Sequence, residues 1–321
     1  MESLIRGKKV KHLAGIVPIA GQDLDYKLPW PDCMIPVSPG YLAVEKAVYE
    51  CAAAGCETIW VVGFAGTMPL LRKVLGDYIV DPRSVSNFKP FKERRDINIF
   101  YVSIPPRDRH KRDSLGWSVL YGADIAFKTS AFLSKWITPE KFFCSFPYGL
   151  TDQTIFRKSR ALIADSTKNT FFSYKNKTIK DGLCFPFTFD AESYKICRDL
   201  VKKRKFDEWY LNGESSRDNL KANESKLYTL DQIFSGLNTV NSNIINIDWF
   251  YDISSWNDYK QFLSSEYSDS LIKNEKLFLK TKRRIFPKAE EARRTGSINL
   301  ESEKNSVRLY DDEQAETEID S

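Results

Sequence analysis

Histidine is almost missing from this chain: His12 and His110 are the only two in 321 residues. That excludes a histidine-rich metal centre and argues against a Ser-His-Asp triad, whose base and orienter must be built around an imidazole. Six cysteines are present (Cys33, Cys51, Cys56, Cys144, Cys184 and Cys197), but none form a C-x-x-C pair, and several sit inside apolar runs. They read as buried, reduced thiols and leave no zinc-ligand spacing. No apolar run is long enough to span a bilayer. The segment Met1 to Lys11 is charged and lacks the apolar core of a signal peptide. The expectation is a soluble, cytoplasmic protein with no membrane partner. No internal repeat is evident, which excludes a solenoid.

What is present suits a substantial core. Hydrophobic residues make up 42% and aromatics 13%, and the length suffices for one large α/β domain. The net charge of +5 is unevenly placed. Lys280, Lys282, Arg283, Arg284, Lys288, Arg293 and Arg294 make one stretch basic, and from Glu301 to Ser321 the sign reverses. Such a segment reads as solvated and weakly ordered, helical at first and then disordered, with docking of a protein partner as its other reading. The expected division is a domain over 1–266 and a charged segment over 267–321.

The pattern of the domain alternates strand and helix. Leu13 to Ala20 reads as a first buried strand. Tyr41 to Ala54 has apolar residues at helical spacing, between Pro39-Gly40 and Gly55. Thr58 to Phe64 is a short apolar run typical of a strand covered on both faces. Strand, helix and strand make a right-handed βαβ unit. Further helices are predicted over Met68 to Leu75, Trp117 to Phe132 and from Asp190 to Lys203, with Asp190 as cap. Further strands are predicted over Ile97 to Ile104, Phe142 to Phe146 and Ile244 to Tyr251. Thr170 to Lys180 reads as a hairpin turning at Lys175-Asn176-Lys177. Thr229 with Gln232, and Ser255 with Asp258, have the spacing of helix N-terminal caps. The fold class is a mostly parallel, doubly wound, Rossmann-like α/β sheet, in which ligands sit at the carboxyl ends of the strands.

The segment Asp248-Trp249-Phe250-Tyr251-Asp252-Ile253-Ser254-Ser255-Trp256-Asn257-Asp258-Tyr259 resembles the "W-x-D-I-G-T-x-x-D-Y" strand end of sugar-phosphate nucleotidyltransferases, proteins of nucleotide-diphospho-sugar transferase (GT-A-like) fold. Three further stretches are similar to that family in the right order. Pro31 to Val37 resembles its "P-K-P-M-L-P-V" element, followed by Ala54 to Val62 in place of "A-G-x-x-x-I-x-V-V". Ser114 to Ala123 resembles the "x-x-G-T-A-x-A-L-x-x-A" turn and helix beside the nucleobase, with Gly116 as its glycine. Lys175 to Leu183 resembles the "x-x-G-x-V-x-x-G" hairpin near the sugar. The resemblance implies that an acceptor phosphate attacks the α-phosphate of a nucleoside triphosphate, with Mg²⁺ neutralising charge and pyrophosphate leaving. Its ligands are then a nucleotide and a sugar phosphate, and Asp252 is the metal-holding aspartate of the motif.

The chain departs from the family where the phosphates should lie. The first loop, Ala20-Gly21-Gln22-Asp23-Leu24-Asp25, keeps Gly21 but lacks the second glycine and the arginine of "A-G-G-x-G-T-R". Asp32 stands where the family has the lysine of "P-K-P", and Lys27 is the candidate to replace it. The second metal aspartate of "L-x-x-G-D" is missing after Phe142 to Phe146, and Asp152 is the candidate to reach back. Arg107, Arg109 and Arg112, just past a strand end, form an anion-attracting loop that could restore the lost positive charge. Nucleic acid is the weaker alternative, because no reading motif accompanies these arginines. Two roles stay open for Asp252, a metal ligand and a hydrogen-bonded strand end. Two functions stay open for the chain: a divergent nucleotidyltransferase using Lys27 and Arg109, and a homologue that keeps the fold for binding or assembly without catalysis.

Overall fold

The computed structural model describes residues 12–20, 28–86, 95–106, 115–133, 138–212, 229–274 and 277–279. Along them run β1 (Leu13–Pro18), β2 (Pro36–Ser38), β3 (Tyr41–Leu42), α1 (Ala43–Ala54), β4 (Thr58–Gly63), α2 (Met68–Leu75), β5 (Tyr78–Val80), α3 (Pro82–Ser86) and β6 (Asp96–Ser103). There follow α4 (Leu115–Leu133), β7 (Lys141–Cys144), β8 (Gly149–Leu150), α5 (Thr154–Lys158), β9 (Thr170–Ser173), β10 (Phe187–Asp190) and α6 (Ala191–Asn212). The chain closes with α7 (Leu230–Phe234), β11 (Asn243–Asn246), β12 (Tyr251–Asp252), α8 (Trp256–Leu263) and β13 (Phe278–Leu279).

Nine of these strands form one sheet in the order β11-β9-β10-β7-β1-β4-β6-β5-β13. Its centre is parallel: β7, β1, β4 and β6 pair in one direction. Strands β10, β5 and β13 run against their neighbours. The mostly parallel α/β class expected from the sequence is therefore the observed one. Every residue of β1 is buried, as a strand covered on both faces requires. Successive side chains of a strand point to opposite faces. A side chain at Gly15 would meet Cys51 of α1, whereas its neighbour Ile16 lies against Gly122 of α4. Helix α1 packs with α3 and α5, and α4 packs with α6 and α7. Burial of each Leu, Ile or Val in these layers contributes about 1.5–3 kcal/mol.

Helix α1 stops where the sequence says it should. Gly55 adopts φ 101°, and Cys56 N–H donates to the Cys51 carbonyl at 3.1 Å. That is a left-handed helix end, which favours glycine. The other capping signals are also observed. Ser193 N–H donates to Asp190 Oδ1 at 2.8 Å, and Thr229 N–H to Gln232 Oε1 at 3.4 Å. Asp258 N–H donates to Ser255 Oγ at 3.1 Å.

Three expectations change. The strand over Ile244 to Tyr251 is two elements. Only β11 joins the main sheet, as an edge parallel to β9, while β12 pairs with β8 in a separate two-stranded ribbon. The sequence reads as one strand because Ile245, Ile247 and Trp249 alternate with exposed residues throughout, so periodicity does not mark the break. The hairpin has its turn but not its returning strand, since a 3₁₀ turn at Ile179–Asp181 follows. The compact unit also runs past residue 266, to Leu279, because β13 adds to β5. Two residues are too short a strand to show in a pattern. The second unit, Lys280–Ser321, lies outside the described residues, as do the tail readings placed there. Among the described residues, no helix is long and apolar enough to cross a membrane.

Candidate functional site

Strand order reverses at β1, which is flanked by β4 on one side and β7 on the other. Ligands of open α/β sheets collect at such a point, outside the carboxyl ends of the strands. The segment after β1 carries Gly21 and Lys27, and that after β6 carries Arg107, Arg109 and Arg112. These five candidates lie outside the described residues. Gly116 is described, at the start of α4. A side chain there would come within 2.5 Å of Ile233 Cδ1 on α7, so its smallness serves helix packing whatever else it does.

The segment after β7 is held from below by a group the sequence reading missed. Lys46 and Glu50 of α1 are both fully buried and paired at 3.0 Å. Lys46 Nζ donates to the Phe146 carbonyl at 3.3 Å and also to the Gly149 carbonyl. Ser145 Oγ donates to Glu50. Burial raises the Glu50 carboxyl above its usual range, and Lys46 and Ser145 oppose that rise. A Lys and a Glu four apart ordinarily mark a solvated helix face. Here the signal against that reading was the helix itself, whose residues other than Tyr49 are all buried.

Gly149 carries this support to Asp252. The two are opposite each other in the β8–β12 ribbon. A Cβ at Gly149 would lie 2.1 Å from the Cys184 carbonyl oxygen, so only glycine lets the two chains pass. Asp252 accepts from Ser254 N–H at 3.1 Å, from the Ser254 hydroxyl, and from Cys184 N–H at 3.5 Å. Burial raises its carboxyl above the usual aspartate range. The hydrogen bonds from Ser254 and Cys184 pull it back, and nearby Asp258 adds to the rise. Asp152 sits three residues beyond Gly149 and turns to its own helix. Its carboxylate accepts from Thr154 N–H at 2.9 Å and from Thr154 Oγ1 at 2.5 Å, at the start of α5. Asp252 lines the cleft described next, and Asp152 is not among its lining residues. A cation held between two carboxylates needs both on one space. The described residues hold no cluster of three candidate metal ligands. Mg²⁺ commonly draws most of its ligands from water and substrate phosphates; here the Asp252 oxygens already accept from Ser254 and Cys184.

The cleft has a volume of about 490 Å³, within the ordinary range for a small-molecule site. One wall is the tight turn predicted at Lys175. Tyr174 and Lys177 exchange hydrogen bonds of 3.1 and 3.0 Å, with φ of 50° at Lys175 and 62° at Asn176. Left-handed backbone at both central positions defines a hairpin-type turn, and it presents Lys175 and Lys177 outward. The floor is aromatic: Trp249 stacks on Tyr267 at 4.9 Å, and Phe185 on Phe250 at 4.0 Å. Asp248, Asp258 and Gln261 complete the polar lining. Asp258 accepts from Ser255 Oγ at 2.7 Å, while the side chains of Asp248, Gln261 and Lys177 line the cleft. Two tryptophans lie near the neighbouring strand ends: Trp30 is 48% exposed and Trp117 packs against the core.

No family model matches this chain, and no curated protein matches it in sequence. Among solved structures, it is similar to a Bacillus anthracis protein assigned as a glucose-1-phosphate thymidylyltransferase, in complex with sucrose. The TM-score is 0.52 and the identity 8%, over 82% of this chain and 98% of the other. The protein Rv0371c from Mycobacterium tuberculosis H37Rv superposes with a TM-score of 0.42 and 12% identity, over 80% of this chain and 100% of the other. The first likeness carries the fold alone: this chain has a nucleotidyltransferase-like fold.

Proposed function

We propose that this chain is a divergent nucleotidyltransferase whose aromatic cleft receives a sugar phosphate and whose strand ends receive a nucleoside triphosphate. The observation that carries this reading is the cleft beside Asp252, lined by lysines, carboxylates, an amide and aromatic rings, on a fold similar to that of a sugar-phosphate thymidylyltransferase. Aromatic faces suit the apolar faces of a pyranose ring, Asp248 and Gln261 suit its hydroxyls, and Lys175 and Lys177 suit its phosphate. Asp252 would hold Mg²⁺, which when bound would neutralise charge on the phosphates. Lys27, Arg107, Arg109 and Arg112 are the proposed triphosphate contacts, with Gly21 and Gly116 beside the nucleotide. Catalysis would then consist of positioning and charge stabilisation.

A second reading is a homologue that binds such ligands without turning them over. It is favoured by one specific observation: the carboxylates of Asp252 and Asp152 are each committed to hydrogen bonds within their own loops. Thermal shift with nucleoside triphosphates, with and without Mg²⁺, separates the two. Stabilisation that requires Mg²⁺ and disappears in Asp252→Ala supports the first, and pyrophosphate release with added sugar phosphates then completes it. Stabilisation that does not require Mg²⁺ supports the second, and no shift with any triphosphate sinks both as nucleotide-dependent readings.

A further inference from the structure

One border of the main sheet is without the protection such borders ordinarily carry. Strand β11 is the outermost on its side, and among the described residues no strand pairs with its outer edge. Exposed edges are normally blunted by a lysine, a proline, a bulge or a covering segment, because their unpaired backbone groups template another strand. Here no charged residue and no proline occurs from Gln232 to Ile247, in a chain that is 28% charged. The β11–β9 register runs without a bulge from Asn243 to Asn246. The direction of the backbone groups is also defined. Asn243 N–H donates to the Asn169 carbonyl at 2.8 Å and Ile247 N–H to the Ser173 carbonyl at 2.9 Å, both toward β9. Alternate residues of a strand address opposite neighbours. Ile245 therefore also addresses β9, and the N–H and C=O groups of Ile244 and Asn246 point off the sheet. The side chains leave the border apolar: Ile244 is 56% exposed, and Val240, just before the strand, is 96% exposed.

We propose that β11 is the contact between two copies of this chain, paired antiparallel about a two-fold axis at Ile245, so that two nine-stranded sheets become one. The occupant is a second copy because the strip is complementary to itself. A two-fold contact must match one residue with another and the second with the first, and residues opposite each other in an antiparallel pair share a face of the sheet. With the axis at Ile245, Ile244 of each copy stands opposite Asn246 of the other, and both are exposed residues of the same face. Each of these two pairs exchanges both of its N–H···O=C bonds. Ile245 meets Ile245 between them as the closer pair without hydrogen bonds. An axis at Ile244 would need the N–H of Ser242, which already donates to the Thr239 carbonyl at 3.3 Å. An axis at Asn246 would set the Asp248 carboxylates against Ile244. A strip without charge also offers nothing that would select an acidic or basic peptide. Antiparallel pairing leaves Asp248 of the two copies at opposite ends of the joined strands, so both clefts stay outside the paired residues.

The test is sedimentation equilibrium of the full chain over a concentration series, in which the wild type is expected to be a dimer. Asn246→Pro removes only an N–H that points away from β9, a change that an edge strand tolerates. It should weaken the dimer about thirtyfold, the effect of one hydrogen bond lost from each copy. Ile244→Lys, at an exposed position, should weaken it as well, and the far-ultraviolet circular dichroism of both variants should match the wild type. The native cysteines are all buried, so introduced thiols report the register. Ile244→Cys combined with Asn246→Cys should cross-link two chains under oxidised glutathione, and either change alone should do so far more slowly. A dimer that survives both edge variants, or one whose doubly substituted variant does not cross-link, overturns the inference. So does a monomeric wild type, and hydrogen exchange then says why. Protected amides at Ile244 and Asn246 would assign the edge to another segment of the same chain, and unprotected ones would mean that it stays open.

Discussion

Gly149 and Lys46 are the two residues on which the ribbon beneath the cleft depends. Replacing Gly149 by alanine sets a methyl carbon 2.1 Å from a backbone carbonyl oxygen, and neither chain can give way cheaply. A loss of about 3 kcal/mol is expected, read as a lower urea midpoint. Lys46→Met strands Glu50 as a buried charge, and breaking one partner of such a pair costs roughly 3–5 kcal/mol. The pH dependence carries a definite sign. Burial already holds the Glu50 carboxyl above its unfolded value, so its contribution to stability is present at low pH and lost as pH rises through the raised value. Without Lys46 that rise grows. The deficit of Lys46→Met should therefore be largest near neutrality and shrink as pH falls through the carboxylate range, and a deficit independent of pH would contradict this account. Neither residue stands out in the sequence. Glycine is common at strand starts, and a lysine four residues before a glutamate looks like surface. What the string of letters lacks is the loop that descends on α1 from a hundred residues away.

Among the elements, those that make their own ends were legible and those that borrow partners were not. The βαβ unit from β1 to β4, the caps at Asp190, Thr229 and Ser255, and the turn at Lys175 are written in short-range chemistry: apolar spacing, a side-chain oxygen, a left-handed backbone. The β8–β12 ribbon and β13 are two residues per strand and exist only because a distant segment pairs with them. The site follows the same division. Asp252 was singled out by its motif, whereas the cleft it lines assembles from three separate stretches, and the phosphate-side candidates Gly21, Lys27, Arg107, Arg109 and Arg112 lie outside the described residues. The amino-terminal rim of the sheet offers a separate test. Glu57, at the foot of β4, lies 3.2 Å from His12 Nδ1 and 3.0 Å from Arg95. His12 first, with Arg95, lowers its carboxyl against the opposing effect of burial. A lowered value means stability that is present above the unfolded carboxylate value and lost as pH falls through the folded one. Glu57→Gln should lower the melting temperature at neutral pH and converge on the wild type in acid. The effect is of order 1 kcal/mol at most, because the pair is partly solvated.

On the scale of the whole molecule, the order in which the sheet is completed differs from the order in which it is written. The parallel centre uses residues up to Cys144, but the flank beyond β10 closes only when Asn243–Asn246 lies alongside Thr170–Ser173, and β8 finds its partner only at Tyr251–Asp252. A growing chain therefore emerges with its centre able to form and one flank open, and an open strand edge is a template for pairing with other chains. A chain ended after Ser242 should remain soluble only with chaperone assistance, and the edge at β9 should lose its hydrogen-exchange protection while β1 and β4 keep theirs. Uniform protection across both flanks of that shortened chain would count against this sequence of events. The cleft and its ribbon are thus assembled only after the parallel centre has been synthesised, so a chain ended before β12 cannot bind ligand there.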